Sequence, residues 1–342
     1  MFYVIIMLLV FGVLVFIHEF GHFITARLCG VPIKEFAVGM GPTVFSWNSK
    51  KYGTKYGLRL LPIGGFVSME GEDESSSDER AFCNQKIWKR VAIVLAGPVM
   101  NLVLGFLLMT VLVFSQGTLV STTVADFQEG AISLEQLQVG DRIIEVDGTR
   151  VHTGNELVYE VLNQAYEPID LKIERNGEKI LLEDVHFPTM VDEASGVTFG
   201  NYDFILYAEK TNVPNLLKHS YFRSVSTVKM VYDSLIGLLS GRFGMDAVSG
   251  PVGVAEVVGD AAKHGIADFL YIVTVLSINL GVFNLIPFPA LDGGRLLFLV
   301  IEGVRGKPLN RDVESYINFI GIMILFGFMI FVTVKDVFKL FG

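Results

Sequence analysis

Four stretches of this chain stay apolar for about the thickness of a bilayer, and this constrains the fold more than any other feature. Residues 2–28, 91–114, 266–286 and 317–334 each approach the ~20 residues that a membrane-crossing helix requires. The first stretch is uncharged through Ile17 and is then interrupted by His18, Glu19 and His22. It has neither the basic start nor the small-residue cleavage site of a secretory signal, so it is expected to be a retained helix. The whole chain has 342 residues, is 51% hydrophobic and has a mean hydropathy of +0.50. A net charge of −9 excludes a nucleic-acid partner, which needs a basic face. Cys29 and Cys83 form no CxxC pattern, so neither a thiolate metal site nor a disulfide framework is expected.

The polar segments between the spans differ in character. Residues 30–89 are rich in Lys and Arg, and within them 56–69 (YGLRLLPIGGFVSM) predicts a β-hairpin or loop touching the membrane surface. Residues 70–80 (EGEDESSSDER) read as a solvated loop. From 117 to 208, turn signals separate short alternating stretches. Residues 142–146 and 169–173 are expected as strands, and 156–163 as a short helix. Residues 213–243 carry apolar side chains at helical spacing, which fits either a helix along the membrane interface or a packed linker helix.

The expected fold is a polytopic α-helical membrane protein with four transmembrane helices, an inserted β-rich domain and a membrane-associated β-hairpin. Its expected parts are an N-terminal membrane core (1–116), the insert (117–210), the amphipathic helix and linker (211–264), and a C-terminal membrane core (265–342). The basic loops after the first and third spans place those loops in the cytoplasm by the positive-inside rule. Both termini and the insert are then expected outside.

His18-Glu19-Phe20-Gly21-His22 is an HExxH motif. On a helix, positions i and i+4 share one face, so both imidazoles can converge on one Zn²⁺ while Glu19 acts as general base toward water. Three ionisable groups inside an apolar span are costly without a function. The alternative, two histidines bridging to a neighbouring helix, does not explain the glutamate between them. Catalytic zinc usually takes three protein ligands. The extended form HExxHxxGxxH is excluded, because Thr25 and Leu28 stand where its glycine and third histidine would be. The best remaining candidate is Asp292, in Asn284-Leu-Ile-Pro287-Phe-Pro289-Ala-Leu-Asp292-Gly-Gly at the end of the third span. Its two prolines break the helix, and broken backbone at membrane depth is tolerated where it lines a protein cavity. The first and third spans run in the same direction, so all three ligands fall at similar depth, toward the cytoplasmic side.

These residues resemble the site-2 protease family of intramembrane zinc metalloproteases, and most closely the bacterial regulator of sigma-E protease type. HEFGH fits that family's first motif, and N-L-I-P-F-P-A-L-D-G fits its second, while Gly97-Pro98 with Asn101 resembles its second-span motif. Leu61-Pro62-Ile63-Gly64-Gly65-Phe66 resembles its membrane-associated hairpin. Gly140 to Gly148 (GDRIIEVDG) resembles the strand and turn of a PDZ domain, and the insert has room for one such domain.

The resemblance implies that His18, His22 and Asp292 bind zinc and that Glu19 activates water. It implies that Asn284 holds the substrate backbone or the developing oxyanion. The strand of Gly64, Gly65, Phe66 and Val67 would pair with an unwound substrate. Pro287, Pro289 and Asn101 are expected to shape the site. The implied substrates are single-pass transmembrane proteins, such as a pre-cut anti-sigma factor, or remnant signal peptides. The PDZ-like domain is expected to bind a peptide or filter substrates. The implied location is the bacterial cytoplasmic (inner) membrane.

Overall fold

The computed structural model describes residues 2–72, 74–192 and 196–341, without side-chain detail at 2, 62, 63, 340 and 341. Asp73 of the expected solvated loop therefore lies outside the described residues, as do the side chains of Pro62 and Ile63 in the hairpin motif.

In chain order, α1 (Phe2–Leu28) is followed by β1 (Ile33–Asn48), β2 (Lys55–Met69) and α2 (Ile87–Gln116). Next come β3 (Leu119–Phe127), β4 (Arg142–Val146), β5 (Thr149–Arg150), α3 (Gly154–Gln164), β6 (Ile169–Arg175) and β7 (Glu178–Val185). After β8 (Thr189–Val191), β9 (Thr198–Gly200) and β10 (Phe204–Glu209) the chain is helical: α4 (Val213–Leu239), α5 (Pro251–His264), α6 (Ile266–Leu285), α7 (Asp292–Arg305) and α8 (Arg311–Phe341). Among the described residues four helices are long and apolar enough to cross a membrane, namely Tyr3–Leu28, Ile87–Gln116, Ile266–Leu285 and Arg311–Lys339. They correspond to the four apolar stretches of the sequence, and α8 extends past its stretch at both ends.

The chain forms two compact units, Met1–Gly105 with Ser249–Gly342, and Phe106–Val248. In the second unit the strand order is β10-β3-β4-β6-β7, with β5 against β4. Val124, Ile143, Val146, Leu157, Val161, Leu171 and Ile173 alternate inward from β3, β4, β6 and α3 to make its core. A capping box starts α3, in which the Thr153 side chain accepts from Glu156 N–H while Glu156 accepts from Thr153 N–H. Helix α4 belongs to this unit. Lys229 pairs with Glu160 of α3 at 2.5 Å, and Tyr159 donates to Asp233 at 2.7 Å. That packing favours the linker-helix alternative for one face of α4.

In the first unit, α1 and α2 approach closely. The face of α2 that carries Ile93, Gly97 and Asn101 at i, i+4 and i+8 meets the face of α1 that carries His18 and His22. The hairpin is longer than expected, because β1 was not legible as a strand. Residues 33–38 pair antiparallel with 65–69, and 43–48 pair antiparallel with 55–59. Residues 35–38 also partner 55–58 on their other side, which leaves 65–69 at the margin of the sheet.

Candidate active site

Helix periodicity and one broken loop build this site. His18 and His22 lie on one face of α1 and are both buried. Their Nε2 atoms are 3.2 Å apart. The loop after α6 bends through Pro287 and Pro289, with Ala290 at φ 73°. It then enters α7 at Asp292, whose Oδ2 lies 3.0 Å from His18 Nε2 and 3.3 Å from His22 Nε2. Gly293 and Gly294 permit this bend: a Cβ at either would lie within 2.3 Å of the carbonyl oxygen of Ile286 or Phe288.

The three atoms fit a metal better than they fit one another. Ligands held ~2.0–2.1 Å from a tetrahedral zinc lie roughly 3.3 Å apart, close to all three observed separations. Asp292 Oδ2 is buried and has no partner with hydrogen-bond geometry, so a group between the three would satisfy it. Among the described residues these three form a cluster able to hold a metal ion.

The atoms behind the imidazoles fix their orientation. His22 Nδ1 lies 2.9 Å from the carbonyl oxygen of Ile93, so its proton sits on Nδ1 and the Nε2 lone pair faces the site. Asn101 is fully buried, with its amide 3.4 Å from His18 Nδ1 and its Oδ1 otherwise unpartnered. Turning that amide over, which exchanges its O and N, lets Oδ1 accept from His18 Nδ1–H. Gly97 lies between these contacts, and a Cβ there would be 2.3 Å from His22 Nε2.

Glu19 is next to the histidines, and its Oε2 accepts from Val67 N–H at 3.1 Å. The donor belongs to the marginal strand 65–69, and Gly65 faces the Glu19 side chain. Phe66 lines the same cleft and carries the Arg59 guanidinium over its ring, while Gly64 lies at a bend with φ 76°. The cleft measures about 270 Å³ and is also lined by Met69, Glu72, Asn284, Ala290 and Arg295. Asn284 donates Nδ2 to Leu280 O at 2.9 Å. Pro287 and Pro289 shape the loop, and Pro289 packs against Gly321 of α8.

The structure thus brings together His18, Glu19, His22, Asp292, Asn284, Phe66 and Val67, with Asn101 behind them. Sequence reasoning did not find Glu72, Arg295 or the Ile93 carbonyl, and a backbone acceptor leaves no residue-type signal. Neither cysteine forms part of the cluster. His219 is buried against Glu209 at 2.7 Å, and His264 bonds the Asp260 carbonyl, so both are structural.

Two histidines and a glutamate on an apolar helix, closed by an aspartate from a second segment, define a metalloprotease built into membrane-spanning helices. The chain belongs to peptidase family M50, whose model matches residues 6–328. It is 34% identical to a Clostridium acetobutylicum protein over 338 residues, 98% of this chain and 97% of that one. It is 31% identical to a zinc metalloprotease, RasP, of Bacillus licheniformis, with 99% of each chain covered. It is 30% identical to the regulator of sigma-W protease RasP of Bacillus subtilis, again with 99% of each covered. That last alignment runs over 421 positions against the 342 residues here, so at least 79 of them (421 − 342) face gaps in this chain.

Proposed function

We propose that this protein hydrolyses peptide bonds within or near the transmembrane segments of single-pass membrane proteins, with one catalytic Zn²⁺ held by His18, His22 and Asp292. The observation that carries this reading is the convergence of three ligand atoms within 3.3 Å, two from a helix long enough to span a bilayer and one from the start of α7, just after another such helix. Zinc at that position supplies Lewis acidity and lowers the pKa of a water toward ~7.

The chain's own residues do the rest. His22 and His18 present Nε2 because Ile93 O and the Asn101 amide hold their Nδ1 protons. Glu19 is held by Val67 N–H through Oε2, which leaves Oε1 to take the proton from water as its oxygen bonds the scissile carbonyl carbon. The same oxygen returns the proton to the leaving amine nitrogen as the C–N bond breaks. Asn284 lines the cleft with one Nδ2 hydrogen given to Leu280 O, and we infer that the other steadies the substrate carbonyl.

A transmembrane helix has its amides bonded internally, so its scissile bond must be unwound before attack. The marginal strand containing Gly65, Phe66 and Val67 offers backbone groups to such an extended segment. We infer the substrate class from this geometry and from the relative named as a regulator of sigma-W protease: a membrane-bound anti-sigma factor already shortened by another protease, or remnant signal peptides. The strand order around GDRIIEVDG supports a single PDZ-like domain that binds a peptide or filters substrates. The basic loops support a zinc site toward the cytoplasmic side of the bacterial inner membrane, with both termini and the PDZ-like domain outside.

Cleavage of a tethered transmembrane reporter by Glu19→Gln tests this directly. The variant should bind zinc and cut nothing, and cleavage at the wild-type rate would end the proposal.

A further inference from the structure

Two segments outside α1 supply groups to the site, and an ion pair joins them. Strand β2 supplies Val67 N–H to Glu19, and α7 supplies Asp292. Glu72 lies three residues beyond the end of β2, and Arg295 lies one helical turn beyond Asp292. Arg295 Nη1 donates to Glu72 Oε1. The other oxygen, Oε2, accepts from Met69 N–H, the last residue of β2, at 3.1 Å. One carboxylate thus holds the end of the strand with one oxygen and the start of the helix with the other.

The turn between them is itself anchored. Phe82 N–H donates to Glu70 O at 2.8 Å and Cys83 N–H to Gly71 O at 3.2 Å. The Glu72 side chain is 11% exposed, so its charge is largely removed from water and depends on its partner. Both residues of the pair line the catalytic cleft.

A second ion pair isolates what this one does. Arg90 of α2 meets Glu302 of α7 at 2.8 Å, with both side chains mostly buried. It ties α7 to the helix core and is not part of the catalytic cleft's lining, and Arg90 also lies over the Phe82 ring at 5.3 Å. Helix α7 keeps the Arg90–Glu302 anchor if Glu72–Arg295 is broken, whereas β2 stays paired with β1 but loses its side-chain tie to α7.

We propose that Glu72 and Arg295 are positioning residues for peptide hydrolysis, setting the distance between the Val67 amide that orients Glu19 and the Asp292 carboxylate that closes the metal site. The proposal rests on the proteolytic reading above. A misplacement of about 1 Å at a reacting group costs on the order of 10²-fold in rate, so a tie this close to the chemistry affects turnover before it affects folding.

The test uses the full-length protein in liposomes with a tethered transmembrane reporter. Glu72→Gln and Arg295→Gln should retain about one zinc per chain while kcat falls roughly 10–100-fold, the range for residues that orient metal ligands. KM should change less than kcat. The exchanged pair Glu72→Arg with Arg295→Glu should recover part of the lost kcat. Arg90→Gln, which breaks the comparison pair, should lower kcat far less than Glu72→Gln does. If Glu72→Gln does not accumulate, Arg295→Gln carries the same comparison, and Arg295→Lys, which keeps the charge, should retain more of the wild-type kcat.

Wild-type kcat in Glu72→Gln or in Arg295→Gln would overturn the proposal, as would equal losses in Glu72→Gln and Arg90→Gln. Glu19→Gln separates this failure from that of the proteolytic reading. If Glu19→Gln is inactive and the Glu72 variant normal, only the positioning role fails. If Glu19→Gln still cleaves, the reading beneath it fails.

Discussion

The two units of this chain obey the same physics with opposite solvents. In Phe106–Val248 the interior is apolar, with Val124, Ile143, Val146, Leu157, Leu171 and Ile173 fully buried. In the membrane-spanning unit the buried positions include His18, His22, Asn101, Thr274 and Ser277, while Leu9, Val13, Val103 and Phe331 are exposed. Water drives apolar groups inward in the first case. In the second, hydrocarbon gives an outward-facing Val or Phe nothing to lose, and every buried polar group needs an internal partner. The comparison teaches where chemistry can sit: in the β-rich unit buried carboxylates such as Asp141 and Asp203 are neutralised by local partners, and in the helical unit buried His18 and His22 meet Asp292 in a cluster able to hold a metal.

Gly97→Ala should give the largest effect. Its Cβ would lie 2.3 Å from His22 Nε2 and 2.9 Å from His18 Nε2, so the ligand geometry cannot survive. Zinc analysis should find the metal lost and reporter cleavage abolished, while hydrogen exchange in the β-rich unit stays unchanged. Retained zinc would break the comparison on the membrane side.

Next comes Arg175→Ala. Arg175 holds the fully buried Asp141 through two bonds of 2.7 Å and also donates to Gln136 O. Removing it strands a buried carboxylate, which costs about 3–5 kcal/mol. Hydrogen exchange in β4 and β6 should accelerate accordingly, without change in zinc content. Ile143→Ala in β4 should cost about 2–5 kcal/mol by leaving a cavity, read by the same exchange. The smallest effect belongs to Phe331→Leu on the exposed face of α8, expected within about 0.5 kcal/mol in lipid. A loss there as large as that of Ile143→Ala would show that this face is packed against protein.

Much of this was legible because it follows from short-range pattern. The four spans declare themselves by length and lack of charge, and HExxH places both imidazoles by helical spacing alone. Gly140-Asp141 and Asp147-Gly148 frame β4, and Asn176-Gly177 closes the β6–β7 hairpin. Helix α7 was missed because the Asp-Gly-Gly that starts it reads as a turn. Strand β1 was missed because Gly39, Gly41 and Pro42 interrupt its alternation.

Helix α4 left its two alternatives open for a physical reason. Its buried face includes Ser220, Ser224 and Thr227, whose hydroxyls donate to carbonyls four residues back, while Leu217, Tyr221 and Ile236 stay exposed. Leu216 and Val231 share that buried face, so a pattern read only for hydrophobicity finds apolar residues on both sides of the helix. The Glu72–Arg295 pair joins residues 223 apart, a separation over which local sequence carries no information.

The central claim is that segments near residues 20 and 290 together cage one metal through two imidazoles and a carboxylate. Zinc X-ray absorption on the purified full-length protein, with Asp292→Ala beside it, tests this most directly. The account predicts one zinc per chain with only nitrogen and oxygen ligands at about 2.0–2.2 Å, and loss of the metal in the variant. A sulfur ligand near ~2.3 Å, or full zinc occupancy in Asp292→Ala, would contradict it.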